Sequence, residues 1–193
     1  DREELEGNSI NIRTIIFRTC LHKLIPCYLF EEFSEAIKNA NIVAENLDCL
    51  IGHASQTVFN FYDSLAKLAV YPTLLKSQQI KLRQEIKSNQ KKMKNWAHYA
   101  PMHYLHKFNL VEAEMCRVLN KDMEAMDYYD RAIALAKENE YINEEALCHE
   151  LAAKFYLARG RGKIAQVYMQ DARYCYLTWG AIAKVEDLDR RYP

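Results

Sequence analysis

The sequence predicts an all-α fold: a right-handed solenoid of about four antiparallel helix pairs in roughly 40-residue units, closed by a C-terminal helix. Three observations point there. Gly and Pro are scarce, 5 and 4 in 193 residues, while half the residues are apolar. That mix favours helix over a sandwich or barrel and is enough for a continuous core. Apolar residues recur at helical spacing with short breaks and no convincing strand. Finally, "AMDYYDRAIALAKEN" (125–139) and "AQVYMQDARYCYLTW" (165–179) each carry Ala, then Tyr three residues on and Ala seven residues on, forty residues apart. Recurrence at such an offset marks one unit used more than once.

Each helix has its own signal. The first is expected from about Asn8 to Cys27, with Ile12, Ile15, Ile16, Leu21 and Leu24 as its apolar stripe and Pro26 ending it. A second covers about Leu29 to Leu50 on Phe33, Ala36, Ile37, Ala40 and Val43, before a break at Gly52 and His53. The third runs from about Thr57 to Val70 and stops at Pro72. The fourth, about Ser77 to Ala97, is sparsely apolar. Pro101 suits the first turn of the fifth, which reaches about Leu119. "NKD" (120–122) turns into the sixth, and Asn143 is the expected cap of the seventh. "GRG" (160–162) leads to the eighth, and Gly180 separates a last helix ending near Asp189.

The whole chain, 1–193, is read as a single helical-repeat domain, with the clearest repeats at 101–140 and 141–180. Ala113, Ala132, Ala153 and Ala172 are expected at close helix contacts, with Tyr128, Tyr129, Tyr156 and Tyr168 between successive hairpins. The start at Asp1 and the lack of a signal peptide predict an internal segment of a longer protein.

Composition limits the partners. The 26 basic and 26 acidic residues cancel, so no global field draws the chain to nucleic acid or an anionic membrane. No apolar run approaches the roughly 20 residues of a membrane span. The cysteines (20, 27, 49, 116, 148, 175) form no Cys-x-x-Cys pair and read as reduced, mostly buried thiols of a cytoplasmic protein.

Small 153, aromatic 156, Gly160, Ala165 and Ala172 resemble the tetratricopeptide repeat (TPR) pattern, with longer helices. The stretches "NIRTIIFRTCLHKLIPCYLFEEFSEAIKNA", "WAHYAPMHYLHKFNLVEAEMCRVL", "YYDRAIALAKENEYINEEAL" and "LTWGAIAKVEDLDRRYP" resemble the helical region of large cyanobacterial-type signalling kinases. Those proteins join a serine/threonine kinase, a STAND-type ATPase, this helical region, GAF and often histidine-kinase domains. The resemblance implies a scaffold with no catalytic residue of its own.

Phosphate-loop, dinucleotide, nucleophile-elbow and zincin motifs are absent from the sequence. "RGRGK" (159–163) lacks the strand a phosphate cradle needs. His98, His103 and His106 cluster without a completing carboxylate or cysteine nearby, so no metal or cofactor is expected. Residues 76–94 hold seven bases and one acid, whereas 111–150 are rich in acids, which predicts a basic surface on the fourth helix and an acidic one around the sixth and seventh.

These features predict a non-enzymatic protein–protein or interdomain scaffold whose partners are flanking domains of the same polypeptide or another signalling protein. The exposed candidates by repeat position are Lys107, Glu114, Arg117, Glu150 and Lys154, joined by Lys87, Lys91 and Lys92 of the basic helix. The alternatives are a small-molecule-sensing repeat coupled to a STAND ATPase and, less favoured because aromatics do not alternate with the lysines, a nucleic-acid-binding repeat.

Overall fold

The computed structural model describes residues 2–49 and 53–192, with backbone alone for residues 2–10, 49 and 53. Among them are nine α-helices in series and no strand. They are α1 (Arg2–Leu29), α2 (Phe33–Glu45), α3 (His53–Val70), α4 (Lys76–Tyr99), α5 (Pro101–Val118), α6 (Asp122–Glu138), α7 (Ile142–Ala158), α8 (Gly162–Trp179) and α9 (Ile182–Arg191). Single 3-10 turns, Leu47–Cys49 and Tyr71–Thr73, follow α2 and α3. The helices form two compact units, Asp1–Asn89 and Gln90–Pro193, with the boundary inside α4.

In the first unit α1 packs on α2 and α3, and α2 on α3. Three expectations are corrected here. Pro26 lies inside the last turn of α1 instead of ending it, because the helix stops three residues later and only one internal hydrogen bond is lost. The second helix is shorter than expected: Glu31 adopts φ +63°, and Glu32 N–H closes on the Cys27 carbonyl at 2.8 Å. The buried face of α1 is Phe17, Leu21, Leu24 and Tyr28, while Ile12, Ile15 and Ile16 are exposed. Of the expected break at Gly52 and His53, Gly52 lies outside the described residues, and His53 already opens α3, four residues ahead of the expected start at Thr57. Polar contacts join α3 to the first part of α4. Lys67 bridges Asp63 and Glu85, each at 2.9 Å, and Asn89 donates to Asp63 at 2.8 Å.

The second unit is regular. Helix α5 lies along α6 and α7 along α8, with α6 against α7 and α9 against α8. The turns after α5, α6, α7 and α8 are copies of one motif. A left-handed residue recurs every twenty positions: Asn120 (φ +57°), Glu140 (+61°), Gly160 (+70°) and Gly180 (+87°). The next residue's N–H then reaches back five residues: Lys121 to Cys116, Tyr141 to Ala136, Arg161 to Tyr156 and Ala181 to Tyr176, at 2.9–3.0 Å. This Schellman closure satisfies the orphan carbonyls of the helix end and aims the chain into the next helix. It also starts α7 at Ile142, so Asn143 lies inside the helix and is not its cap.

Packing follows the alanines. Ala113, Ala132, Ala153 and Ala172 are fully buried, as the forty-residue spacing predicts. Their missing bulk lets paired helices approach while aromatics fill the remaining space. Tyr156 stacks on Tyr168 at 5.4 Å, and Tyr129 meets Phe155 across the α6–α7 contact at 5.4 Å.

Candidate functional site

The residues proposed as an exposed surface on the first helices of the pairs are largely inside. Lys107, Glu114 and Glu150 are 5, 3 and 1% exposed, and Arg117 and Lys154 are half-buried. Burial is tolerable because each charge is paired. In the α5/α6 pair, Glu114 takes the Arg117 guanidinium through both oxygens, at 2.6–3.0 Å, and the Tyr129 hydroxyl donates to it. In the α7/α8 pair, Glu150 takes Lys154 at 2.6 Å and the Tyr176 hydroxyl at 2.8 Å. The pattern is the same: a carboxylate on the first helix, a base one turn later, and a tyrosine from the second helix.

Further contacts lace successive first helices together. Lys107 of α5 reaches Glu144 of α7 at 2.6 Å, and the His106 ring donates to the same carboxylate. Lys184 of α9 reaches Glu150 of α7 at 2.9 Å. Between second helices, the Tyr168 hydroxyl of α8 donates to Asp130 of α6 at 3.0 Å. Burial alone would raise Glu144 and Glu150. The His106 hydrogen bond and Lys107 charge at Glu144, and the two lysines at Glu150, outweigh it and hold both carboxyls below the usual range. Burial lowers His106, which stays neutral beside Lys107.

These networks also place the histidine cluster. His103 meets the Tyr141 hydroxyl at 2.5 Å, His106 faces Glu144 and stacks on Tyr141 at 4.7 Å, and His98 is exposed on α4. The three do not converge. Lys87, Lys91 and Lys92 are exposed on α4. The acidic surface expected around α6 and α7 is reduced, since Glu144 and Glu150 are buried against lysines. Cys20, Cys27, Cys116, Cys148 and Cys175 are free thiols, the last three buried; Cys49 lies outside the described side chains.

A second cluster was not singled out from the sequence. Glu145 and His149 lie one turn apart on α7, and Cys175 faces them from α8; one ligand atom of each lies within 4.8 Å of the others. Asp171, one turn before Cys175, approaches His149 Nδ1 at 4.0 Å. The readable signal was two acid-to-ligand pairs at four-residue spacing, Glu145/His149 and Asp171/Cys175, on helices the repeat already pairs. Beside α9, Ala153, Leu157, Met169, Arg173, Leu188 and Tyr192 line an open cleft of about 450 Å³. No helix among the described residues is long and apolar enough to cross a membrane.

Comparison with known proteins gives one limited likeness. Over 60 residues, 31% of the chain, the sequence is 32% identical to hybrid signal transduction histidine kinase G of Dictyostelium discoideum. That stretch is 2% of the relative's length, so the two share a short segment of a far larger protein. No protein-family model and no solved structure matches the chain. The likeness fits a signalling-kinase context, and the structure is all-helical.

Proposed function

We propose that the chain is a TPR-like helical-repeat segment acting as a non-catalytic scaffold between domains of a signalling kinase. The observation that carries this reading is the recurrence in the second unit. One turn motif repeats every twenty residues, and buried ion pairs join α5 to α7 and α7 to α9. Units that bury charge and apolar surface mainly against their neighbours are the logic of a solenoid. The short kinase likeness supplies the signalling context.

With Lys107, Glu114 and Glu150 sealed in place, docking falls to outward groups. Lys87, Lys91 and Lys92 are one such set. The partner is a flanking domain of the same polypeptide, of the ATPase or GAF type, held at high effective concentration. Complementary charge then fixes register and speeds association more than it adds affinity. The test is binding of separately expressed flanking segments, at low and moderate salt, to the parent and to the Lys87→Glu/Lys91→Glu/Lys92→Glu variant. Weaker docking by a folded variant supports the role, and equal binding by both removes it. Tight binding of the parent to RNA would favour a nucleic-acid repeat instead.

A second reading, a small-molecule sensor, draws support from the cleft beside α9. Its size suits a small ligand. Ligand-dependent melting that vanishes on Ala153→Leu would favour it.

A further inference from the structure

We propose that Glu145, His149 and Cys175 form a site for a divalent transition metal of the Zn2+ type, clamping α7 to α8, with Asp171 orienting the histidine. Four observations carry it.

The donor set is right in kind. An imidazole nitrogen, a thiol sulfur and a carboxylate oxygen are the three zinc ligands that proteins use, and soft sulfur with imidazole disfavours Ca2+ and Mg2+. The donors already converge within 4.8 Å, and bonds of about 2.0–2.3 Å ask for a contraction of about 1 Å. Side-chain rotation on two helices already held together by Ala153 and Ala172 can supply that.

The cluster is also unsettled as it stands. His149 Nδ1 is buried with no hydrogen-bond partner among the described residues, and its side chain is nine-tenths buried. Glu145, with its side chain 14% exposed, has no lysine or arginine within ion-pair distance among the described residues; its nearest ionisable neighbour in the ion-pair geometry is the His149 ring, at 3.8 Å. The other buried glutamates of this unit, Glu114, Glu144 and Glu150, each hold a lysine or arginine. A cation at the centre would neutralise Glu145. Ligation through Nε2 would leave Nδ1–H facing Asp171, the outer carboxylate that fixes a ligating imidazole.

The repeat shows that Glu145 is out of pattern. Forty residues before and after it stand Leu105 and Val185, and the place of Cys175 is held by Leu135 in α6. The matching places are apolar, so a carboxylate at 145 needs a counter-charge of its own, as Glu150 at the place of Leu110 has in Lys154 and Lys184.

Loading is proton-balanced: the thiol loses its proton to solvent as sulfur bonds the metal, and no electron moves. The experiment uses the chain as expressed, stripped of metal and reduced. Titration with Co2+ should give a near-ultraviolet thiolate-to-metal band saturating at one ion per chain, which Zn2+ displaces. Zn2+ should raise the melting temperature and protect Cys175, identified by peptide mapping, from alkylation while Cys20 still reacts. Cys175→Ser and His149→Gln should each weaken binding at least 100-fold, and Asp171→Asn about 10- to 100-fold. A folded parent showing no thiolate band, or Cys175 labelling unchanged by Zn2+, would overturn the site. So would a band of full strength in Cys175→Ser. Because the mapping uses the parent protein, it decides the matter even if a variant fails to fold.

Discussion

The two helix pairs of the second unit solve one problem with different counter-charges. In α5/α6, Glu114 is met by the Arg117 guanidinium from its own helix, and that side chain remains 25% exposed. In α7/α8, Glu150 is met by Lys154 from its own helix and by Lys184 from α9, which is only 3% exposed. The tyrosine is common to both. The two clusters are alike in chemistry and not in register, since forty residues on from Glu114 stands Lys154 and forty back from Glu150 stands Leu110; the depth of each partner depends on what the next helix brings. Where a neighbouring lysine enters, the pair becomes a buried link between units.

The largest expected effect tests that difference. Glu150→Gln removes the shorter ion pair of buried Lys184, leaving it Asp187 at 3.5 Å, and should cost about 3 kcal/mol, the low end of the range for removing one partner of a buried pair. Glu114→Gln leaves Arg117 able to turn to water and should cost about 1–2 kcal/mol. Equal midpoint shifts in urea unfolding would remove the distinction.

Next is a prediction on which the pairs should agree. Ala113→Leu and Ala153→Leu occupy matching, fully buried places, and each should overpack its pair by about 1–3 kcal/mol. A variant melting like the parent would show that its pair is looser than its partner.

The turns sharpen the comparison further, with opposite signs. Glu140 carries a side chain in the left-handed conformation, whereas Gly180 does not. A Cβ at Gly180 would meet nothing within 4 Å, so Gly180→Ala reports backbone strain alone. It should destabilise by about 1 kcal/mol, and Glu140→Gly should stabilise by up to a similar amount. The readout is thermal melting of both variants.

The smallest effect is a pH dependence. His106 is held neutral by burial, below its ordinary 6.5, with Glu144, Lys107 and His103 about it. The unfolded chain binds the proton more readily, so this stability is present above about 6.5 and is lost as pH falls through the folded value. Between about pH 7 and pH 5 the urea midpoint of the parent should fall, and His106→Asn should flatten part of that slope. A parallel slope in the variant would place the titration elsewhere.

Much of the architecture was legible because helices declare themselves locally. The Ala125/Ala165 and Ala132/Ala172 spacing, Pro101 and the glycines at 160 and 180 set most boundaries within a few residues. The failures share a cause: the deciding partner was distant in sequence. Lys107 reads as a surface lysine until Glu144, thirty-seven residues on, is beside it, and Glu150 reads as exposed until Lys184 arrives. The outward Ile12, Ile15 and Ile16 fit a helical stripe equally well, so periodicity alone could not choose the buried face. Glu31 hid the turn before α2 because glutamate seldom adopts a positive φ, whereas the turn at Glu140 was placed by the end of the helical stretch at 139. The Glu145, His149 and Cys175 cluster is split between two helices, so no single motif announced it.

The evenly spaced left-handed turns carry an evolutionary consequence. One residue inserted within α6 would rotate all that follows by about 100° about the helix axis, swinging α7 so that Glu144 no longer meets Lys107. Such indels are expected to be purged, whereas duplication or loss of a complete helix-and-turn pair preserves every facing partner. Length variation among homologues of this unit should therefore come in quanta of about forty residues, a prediction that a length histogram of its relatives can test.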